Sequence, residues 1–214
     1  MQQKIAIVGI HTDIGKTIAS AVLAEALGAD YWKPVQAGSL DCSDSMLVKS
    51  LLSNGTKRVH PEAVLLTEPQ SPHAAAKSDG IQIDHTHFLL PDTNKTLLIE
   101  TAGGVLSPVS DHATMADFIQ YFNLPALLIS NNYLGSINHT LLSIEVLKKR
   151  GINILGVVMN GTENASSEEF IEAYTGVPII ARIPFFENLN SANIKQCAAE
   201  IRSSFLEKLG YEGN

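Results

Sequence analysis

Continuously apolar runs, each long enough for one β-strand, alternate with helical patterns along most of this chain. The predicted strands are Ile5–Val8, Tyr31–Val35, Thr96–Ile99, Ala126–Ile129, Ile154–Met159 and Ile179–Ile183. Strands that are apolar at every position are typical of a parallel sheet covered on both faces by helices. The predicted helices are Lys16–Leu27, Ser43–Leu52, Met115–Phe122, Ile137–Arg150, Ser166–Tyr174 and Ala192–Lys208. We therefore expect an α/β fold, a three-layer α/β/α sandwich built on a mainly parallel, doubly wound sheet.

Length and composition favour one domain spanning residues 1–214. Hydrophobic residues make up 45% of the chain, which excludes disorder, and charged residues only 17%, which favours a buried subunit contact. The formal net charge of −7 argues against a nucleic-acid binder, and no apolar run is long enough to cross a membrane. Residues 1–4 run directly into the first predicted strand without a signal-peptide pattern, so we expect a cytoplasmic protein.

One stretch, residues 54–92, interrupts the alternation of strands and helices. It is rich in Pro, His, Ser and Gly, the residues that favour turns and loops. We interpret it as an excursion that lies over one edge of the ligand-binding face of the sheet.

A glycine-containing loop, residues 9–17, follows the first predicted strand and opens the first helix. This context is typical of a phosphate-binding loop, whose backbone N–H groups and helix N-terminus attract phosphate oxygens. Lys16 would reach the outer phosphates, and the Thr17 hydroxyl would bind Mg²⁺. Five residues separate Gly9 from Gly15, where the usual motif has four. An ordinary β–α turn of a doubly wound fold is the alternative interpretation.

Two carboxylates are candidates for the same cation. Glu100 ends the third predicted strand, and the carboxyl ends of parallel strands line the ligand crevice of such sheets. Gly103 and Gly104 follow it and would let the backbone approach a phosphate closely. Asp44 stands near the start of a predicted helix. The alternatives are that Glu100 caps the next turn and that Asp44 is only an N-cap or first-turn acid.

A lysine at the end of an apolar strand is the least expected residue. Lys33 ends the second predicted strand, and the proline after it would restrict its backbone. We predict that Lys33 is a fixed cation for the negative charge that develops during phosphoryl transfer. The alternative is an ordinary lysine whose head group reaches water.

Several segments together carry a resemblance to one enzyme family. They are the long loop ending Thr12-x-x-Gly15-Lys16-Thr17, Lys33-Pro34-Val35 with Gly38-Ser39, Ser43-Asp44, Pro69-Gln70-Ser71-Pro72-His73, Glu100-x-Ala102-Gly103-Gly104 with Pro108, and Leu134-Gly135-Ser136-Ile137-Asn138-His139. With these segments in the same order along the chain, up to Ile183-Pro184, the sequence closely resembles the dethiobiotin synthetases of biotin biosynthesis. The phosphate loop of that family has the same long spacing. The resemblance implies a fold of the P-loop nucleoside-triphosphatase type.

The resemblance also implies a reaction, with ATP as co-substrate and Mg²⁺ as cofactor. One amine of 7,8-diaminopelargonate takes up CO₂ to form a carbamate. ATP then phosphorylates the carbamate, and the second amine attacks it to close the cyclic urea. The products are dethiobiotin, ADP and phosphate.

Site residues follow from the resemblance position by position. The catalytic positions are Thr12, Lys16 and Lys33, and the metal positions are Thr17, Asp44 and Glu100. The nucleotide positions are Asp13, Ile14, Gly15, Lys16, Thr17, Ile18, Glu100, Gly103, Gly104, Asn160 and Pro184. The substrate positions are Thr12, Lys33, Ala37, Gly135, Ser136, Ile137, Asn138 and Tyr174. Ala37 departs from the family, which commonly has a hydroxyl there that bonds the carbamate, so a water or a neighbouring group such as Ser39 is the candidate replacement. Asn160 has an alternative as an ordinary turn residue.

The resemblance implies a homodimer whose active sites lie at the subunit interface. The segment Leu134–His139 would reach the active site of the other subunit, where free N–H groups at a helix start suit the substrate carboxylate. Tyr174, on a later helix, would assist it.

Two other functions share this fold. A dimeric nucleotide-switch ATPase of the partitioning or division-site type typically carries an extra lysine where Ile10 and His11 stand here, and often ends in an amphipathic membrane helix. A degenerate nucleotide-binding module of an amidotransferase in cobalamin synthesis would need a glutaminase half, which these 214 residues do not contain.

Overall fold

The computed structural model describes residues 3–210, and parallel strands form its centre. The strands are β1 (Lys4–Gly9), β2 (Asp30–Trp32), β3 (Val35–Ala37), β4 (Val59–His60), β5 (Val64–Leu66), β6 (Leu97–Gly104), β7 (Ala126–Asn131), β8 (Ile154–Asn160) and β9 (Ile179–Ile183). Among these described residues, the main sheet has seven strands in the order β4-β2-β6-β1-β7-β8-β9. Strands β3 and β5 form a separate parallel pair.

Helices flank the main sheet and join its strands. They are α1 (Lys16–Leu27), α2 (Asp44–Leu51), α3 (Pro72–Ser78), α4 (Met115–Tyr121), α5 (Ser136–Lys149), α6 (Ala165–Thr175) and α7 (Ser191–Lys208). Helix α1 packs against both α2 and α7, whereas α5 packs against α6. The predicted α/β sandwich with its doubly wound parallel sheet is confirmed. Within residues 3–210, no helix combines the length and the apolar character that crossing a bilayer requires.

The centre of the sheet is buried on both faces, as the apolar runs predicted. Ile5, Ala6, Ile7 and Val8 of β1 are all fully buried, although successive side chains of a strand point to opposite faces. Strand β1 lies between β6 and β7, so the chain leaves it toward β2 on one side and reaches β7 on the other. Ligands of doubly wound sheets bind at such a switch in strand order.

The predicted strand Tyr31–Val35 is wrong, because the chain leaves the main sheet after Trp32. Pro34 has no N–H group to donate to a strand ladder. Its carbonyl instead accepts hydrogen bonds from Ala63 N at 2.9 Å and Val64 N at 3.0 Å, which brings β3 and β5 together. Lys33 therefore lies between two sheets rather than at the end of one strand.

The prediction that the third strand ends at Glu100 is also wrong. Strand β6 continues to Gly104, and Glu100 pairs in register with Ile7 of β1. The stretch 54–92, which the sequence presents as an excursion, contains β4, β5 and α3. Strand β4 extends the main sheet, and the segment around α3 buries Leu66 and Ala75 in a second hydrophobic cluster.

Candidate active site

A cleft of about 710 Å³ opens at the carboxyl edge of the sheet, beside the loop that joins β1 to α1. It brings together a large group of the predicted site residues, namely Thr12, Asp13, Gly15, Lys16, Thr17, Ile18, Lys33, Ala37, Asp44, Glu100 and Gly103. The segment Pro69–Pro72, which leads into α3, also lines it. The connections at the switch in strand order therefore enclose one pocket.

The loop before α1 has a backbone that only glycine suits at position 15. Gly15 has φ +88°, and a Cβ atom there would overlap Asn160 Nδ2. Asn160, the last residue of β8, donates a hydrogen bond from Nδ2 to Ile14 O at 3.0 Å. The end of β8 thus holds the turn that leads into α1.

Lys16 begins α1 and is buried at the base of the same loop. Its Nζ donates to His11 O at 3.2 Å, so the side chain folds back under the loop. Burial lowers the pKa of Lys16, and the nearby Lys33 acts in the same direction, whereas Glu100 opposes both. A phosphate group would supply the anionic partner that this buried ammonium otherwise has only at a distance.

Four polar side chains close a ring on the floor of the cleft. Thr17 Oγ1 lies 2.9 Å from Asp44 Oδ1 and 2.9 Å from Glu100 Oε1. Lys33 Nζ contacts Asp44 Oδ2 and donates to Glu100 Oε1 at 3.1 Å. Lys33 is only 6% exposed, so the interpretation as a lysine with its head group in water is wrong. Burial opposes its charge, but Glu100 and Asp44 outweigh burial and raise the pKa of Lys33.

Asp44 owes its position to the start of α2. Ser43 is the N-cap, because its Oγ accepts a hydrogen bond from Met46 N at 3.3 Å, so Asp44 is not the capping residue. Asp44 N donates to Gln36 Oε1 at 3.2 Å, and Gln36 Nε2 donates to Gly38 O at 3.0 Å. Gln36 is buried in β3 and was missed by the sequence reasoning. It ties the start of α2 to the strand that follows Lys33.

Glu100 is 1% exposed, and two further hydroxyl groups hold its inner oxygen. Ser20 Oγ donates to Oε2 at 2.9 Å, and Tyr31 OH donates to the same atom at 3.0 Å. Burial raises the pKa of Tyr31 well above its usual range, as does the charge of Glu100, so the phenol stays protonated. Sequence spacing contains a signal for both: Ser20 lies one turn after Thr17 on α1, and Tyr31 lies two residues before Lys33.

The donor set fits a magnesium ion that also binds phosphate. Mg²⁺ prefers oxygen ligands and is usually bound by one or two carboxylates together with substrate phosphates. Thr17, Asp44 and Glu100 supply one hydroxyl and two carboxylates whose nearest oxygens are 2.9 Å from the hydroxyl. Across residues 3–210, no group of three or more His, Cys, Asp or Glu side chains could hold a metal ion. Thr17, Asp44 and Glu100 would leave ligand positions on the cation for phosphate oxygens and water.

Comparison with known proteins identifies the family. A family model described as an AAA domain matches residues 3–193. The ATP-dependent dethiobiotin synthetase of Cytophaga hutchinsonii is 44% identical over 96% of this chain and 100% of its own length. That of Christiangramia forsetii is 45% identical over 94% of this chain and 97% of its own length. The chain belongs to the dethiobiotin synthetase family.

A more distant likeness concerns the fold alone. The crystal structure of a putative plasmid partition protein of Borrelia burgdorferi, bound to AMPPNP, superposes on this chain with a TM-score of 0.57 at 12% identity. The superposition covers 97% of this chain and 98% of that one. This chain therefore shares its sandwich fold with that protein, whereas its membership of the dethiobiotin synthetase family rests on its sequence.

Other positions inferred from the dethiobiotin synthetase family lie outside the first cleft. Gly135, Ile137 and Asn138 line a second cleft of about 780 Å³ at the start of α5, whereas Ser136 is buried beside them. Tyr174 is exposed on α6 and stacks on Phe170, with ring centroids 5.6 Å apart.

Two of the remaining nucleotide positions, Ile14 and Gly104, lie at the loop, whereas Pro184 lies farther along the sheet. Ile14 is buried within the loop, and Gly104 lies against its other side, where an added Cβ would be 3.2 Å from His11 Cα. Pro184 is exposed directly after β9, a strand that β7 and β8 separate from β1. One chain thus gathers the phosphate loop and the two carboxylates, but not the segment that starts α5.

Proposed function

We propose that this chain is an ATP-dependent dethiobiotin synthetase that carboxylates 7,8-diaminopelargonate with CO₂, phosphorylates the carbamate with ATP and closes the cyclic urea. The observation that supports this most directly is Lys33, buried between Asp44 and Glu100 at the floor of the cleft. A nucleotide-binding loop alone fits many functions. A second buried lysine facing the same space supplies positive charge for a reacting acceptor beside the phosphates.

In the proposed reaction, the loop and the start of α1 bind the ATP phosphates through backbone N–H groups and Lys16. Thr17, Asp44 and Glu100 would hold Mg²⁺, which neutralises phosphate charge when bound. Asn160 and Pro184, at the ends of β8 and β9, are proposed to contact the base.

The side of the cleft that would bind the phosphate acceptor is lined by Lys33 and by residues of the loops that follow β1, β3 and β6. Lys33 is proposed to stabilise the charge of the carbamate as it attacks the outer phosphate, and Thr12 to orient the substrate. Ala37 lines the cleft, and its methyl side chain can donate no hydrogen bond, but Ser39 and Ser107 also line it. We propose that Ser39 replaces the hydroxyl that the family commonly has at position 37.

We also propose a homodimer in which the second cleft completes the partner's site. The N-terminus of α5 offers free N–H groups for the substrate carboxylate, consistent with its glycine at position 135 and φ of +101°. Leu134, Leu142, Phe170 and Tyr174 are exposed around α5 and α6, which favours a subunit contact there.

The deciding experiment is a phosphate-release assay with purified protein, ATP, Mg²⁺ and bicarbonate, with and without the diamine. The proposal expects phosphate release that depends on 7,8-diaminopelargonate, with dethiobiotin formed in equal amount and detected by mass spectrometry. Equally fast release without the diamine would contradict the proposal and favour a nucleotide-switch ATPase.

A further inference from the structure

The two carboxylate oxygens of Glu100 have different surroundings. Oε1 faces the cleft, where it accepts hydrogen bonds from Thr17 Oγ1 and Lys33 Nζ. Oε2 faces the interior, where it accepts from Ser20 Oγ and Tyr31 OH at 2.9 and 3.0 Å. Ser20 and Tyr31 are both fully buried, so neither donor can be replaced directly by solvent.

The interior oxygen has no remaining capacity to bind anything else. A carboxylate offers about four lone-pair sites, two on each oxygen. Both sites of Oε2 are used by neutral hydroxyl groups that nothing in the proposed reaction needs to move. The two donors of Oε1, by contrast, are groups that face the reacting phosphates.

The inner donors are carried by the same elements as the outer ones. Ser20 lies one turn after Thr17 on α1, and Tyr31 precedes Lys33 by two residues at the end of β2. Helix α1 and strand β2 therefore hold the inner oxygen of Glu100, and the same two elements position Thr17 and Lys33, which contact its outer oxygen. Rotation of its carboxylate would break both inner bonds within a buried site, where an unsatisfied acceptor is costly.

We propose that Ser20 and Tyr31 are positioning residues that fix Glu100 so that it presents only Oε1 to a divalent cation. The inference rests on the proposed function, which places Mg²⁺ beside Glu100. Glu100 then serves the cation, directly or through water, with a single oxygen. Loss of either hydroxyl frees the carboxylate to rotate, and the cation loses a ligand of fixed direction.

The test is a titration of Mn²⁺, followed by electron paramagnetic resonance, into protein saturated with a non-hydrolysable ATP analogue. Ser20→Ala and Tyr31→Phe are each expected to weaken Mn²⁺ binding by about tenfold or more, since removal of such supporting groups typically costs 10–100-fold in metal affinity. Both should leave binding of the analogue in EDTA nearly unchanged. In turnover assays the Mg²⁺ concentration at half-maximal rate should rise more than kcat falls.

Ser130→Ala is the matched control. Ser130 is fully buried in β7, and its Oγ lies 2.8 Å from Thr140 Oγ1, away from the first cleft. Thr140 keeps a partner in the variant, because it also donates to Ser136 O at 2.7 Å. The control should bind Mn²⁺ as the unmodified protein does. Ser20→Ala is expected to fold because alanine is the most favourable residue within a helix.

The outcomes separate this inference from the proposed function. If Ser20→Ala and Tyr31→Phe bind Mn²⁺ as tightly as Ser130→Ala, while the unmodified protein still makes dethiobiotin, the positioning role is overturned alone. If both variants lose analogue binding in EDTA as well, their role is structural and the inference is also overturned. Absence of diamine-dependent phosphate release in the unmodified protein overturns the proposed function instead.

Discussion

The two clefts differ in whether the charged and polar groups that line them already have partners within one chain. In the first, Lys16, Lys33 and Glu100 are buried and face one another, so most charges already have a partner. In the second, at the start of α5, Leu134 and Asn138 are exposed, and the lining includes a single charged side chain, that of Glu163. A buried, compensated group of charges is suited to catalysis, whereas an open helix terminus is suited to recognition. The difference teaches that activity and substrate affinity should respond to separate mutations.

The largest effect is expected from Lys33→Met, which removes the charge but keeps most of the side-chain volume. We expect kcat to fall by about 100-fold or more, as when a single charge-stabilising donor is lost, with the KM for ATP changed by no more than about threefold. The carboxylate pair also loses its counter-charge, so folding should be checked by circular dichroism. Lys49→Ala, at an exposed position of α2, is the control. A selective loss of ATP binding would remove Lys33 from the acceptor side of the cleft.

A smaller effect is expected from Gly15→Ala, which tests the link between the phosphate loop and β8. The new methyl group would overlap Asn160 Nδ2, and the residue would also be held at φ +88°. We expect nucleotide affinity to fall about tenfold, corresponding to about 1.4 kcal/mol. Gly151→Ala is matched to it, because Gly151 has φ +67° with no heavy atom within 4 Å of the added carbon. Equal losses in both variants would mean that backbone strain, and not the Asn160 contact, decides the affinity.

The smallest effect on catalysis is expected from Leu134→Asp, which places a charge beside the second cleft. We expect the KM for the diamine to rise by about fivefold to tenfold, which corresponds to a loss of about 1 to 1.4 kcal/mol. ATP binding should stay unchanged, and light scattering should show more monomer. A variant that stays dimeric with an unchanged KM would show that the second cleft takes no part in substrate binding.

The fold was predictable where the signal lies in long runs of residues. The apolar run Ile5–Val8 is buried on both faces, and such a run has few alternatives to a central parallel strand. Strands β4 and β5 have two and three residues, too few to leave a periodic pattern. Their positions depend on partners far along the chain, such as Pro34, whose carbonyl accepts a hydrogen bond from Val64 N of β5, and no local pattern specifies these partners.

The site was predictable in its charged residues but not in the groups that hold them. Lys33 and Glu100 stand out because ionisable residues are rare at the end of apolar runs. Gln36 does not stand out, and the spacing of Ser20 from Thr17 and of Tyr31 from Lys33 is only a weak signal, because each is an ordinary residue for its helix or strand. Only tertiary packing brings the Ser20 and Tyr31 hydroxyl groups within 3.0 Å of Glu100 Oε2, and Gln36 Oε1 within 3.2 Å of Asp44 N, which donates to it.

The contact between Asn160 and Ile14 also bears on how the protein is made. It joins residues 146 positions apart, across the strands β1, β7 and β8. Synthesis proceeds from the N-terminus, and domains fold as units. A growing chain contains the whole phosphate loop once residue 17 has been added. It lacks the Asn160 side chain, which holds the loop by a hydrogen bond, until residue 160 has been added. A nascent chain should therefore acquire full ATP affinity late in translation, long after residues 9–17 of the phosphate loop have left the ribosome.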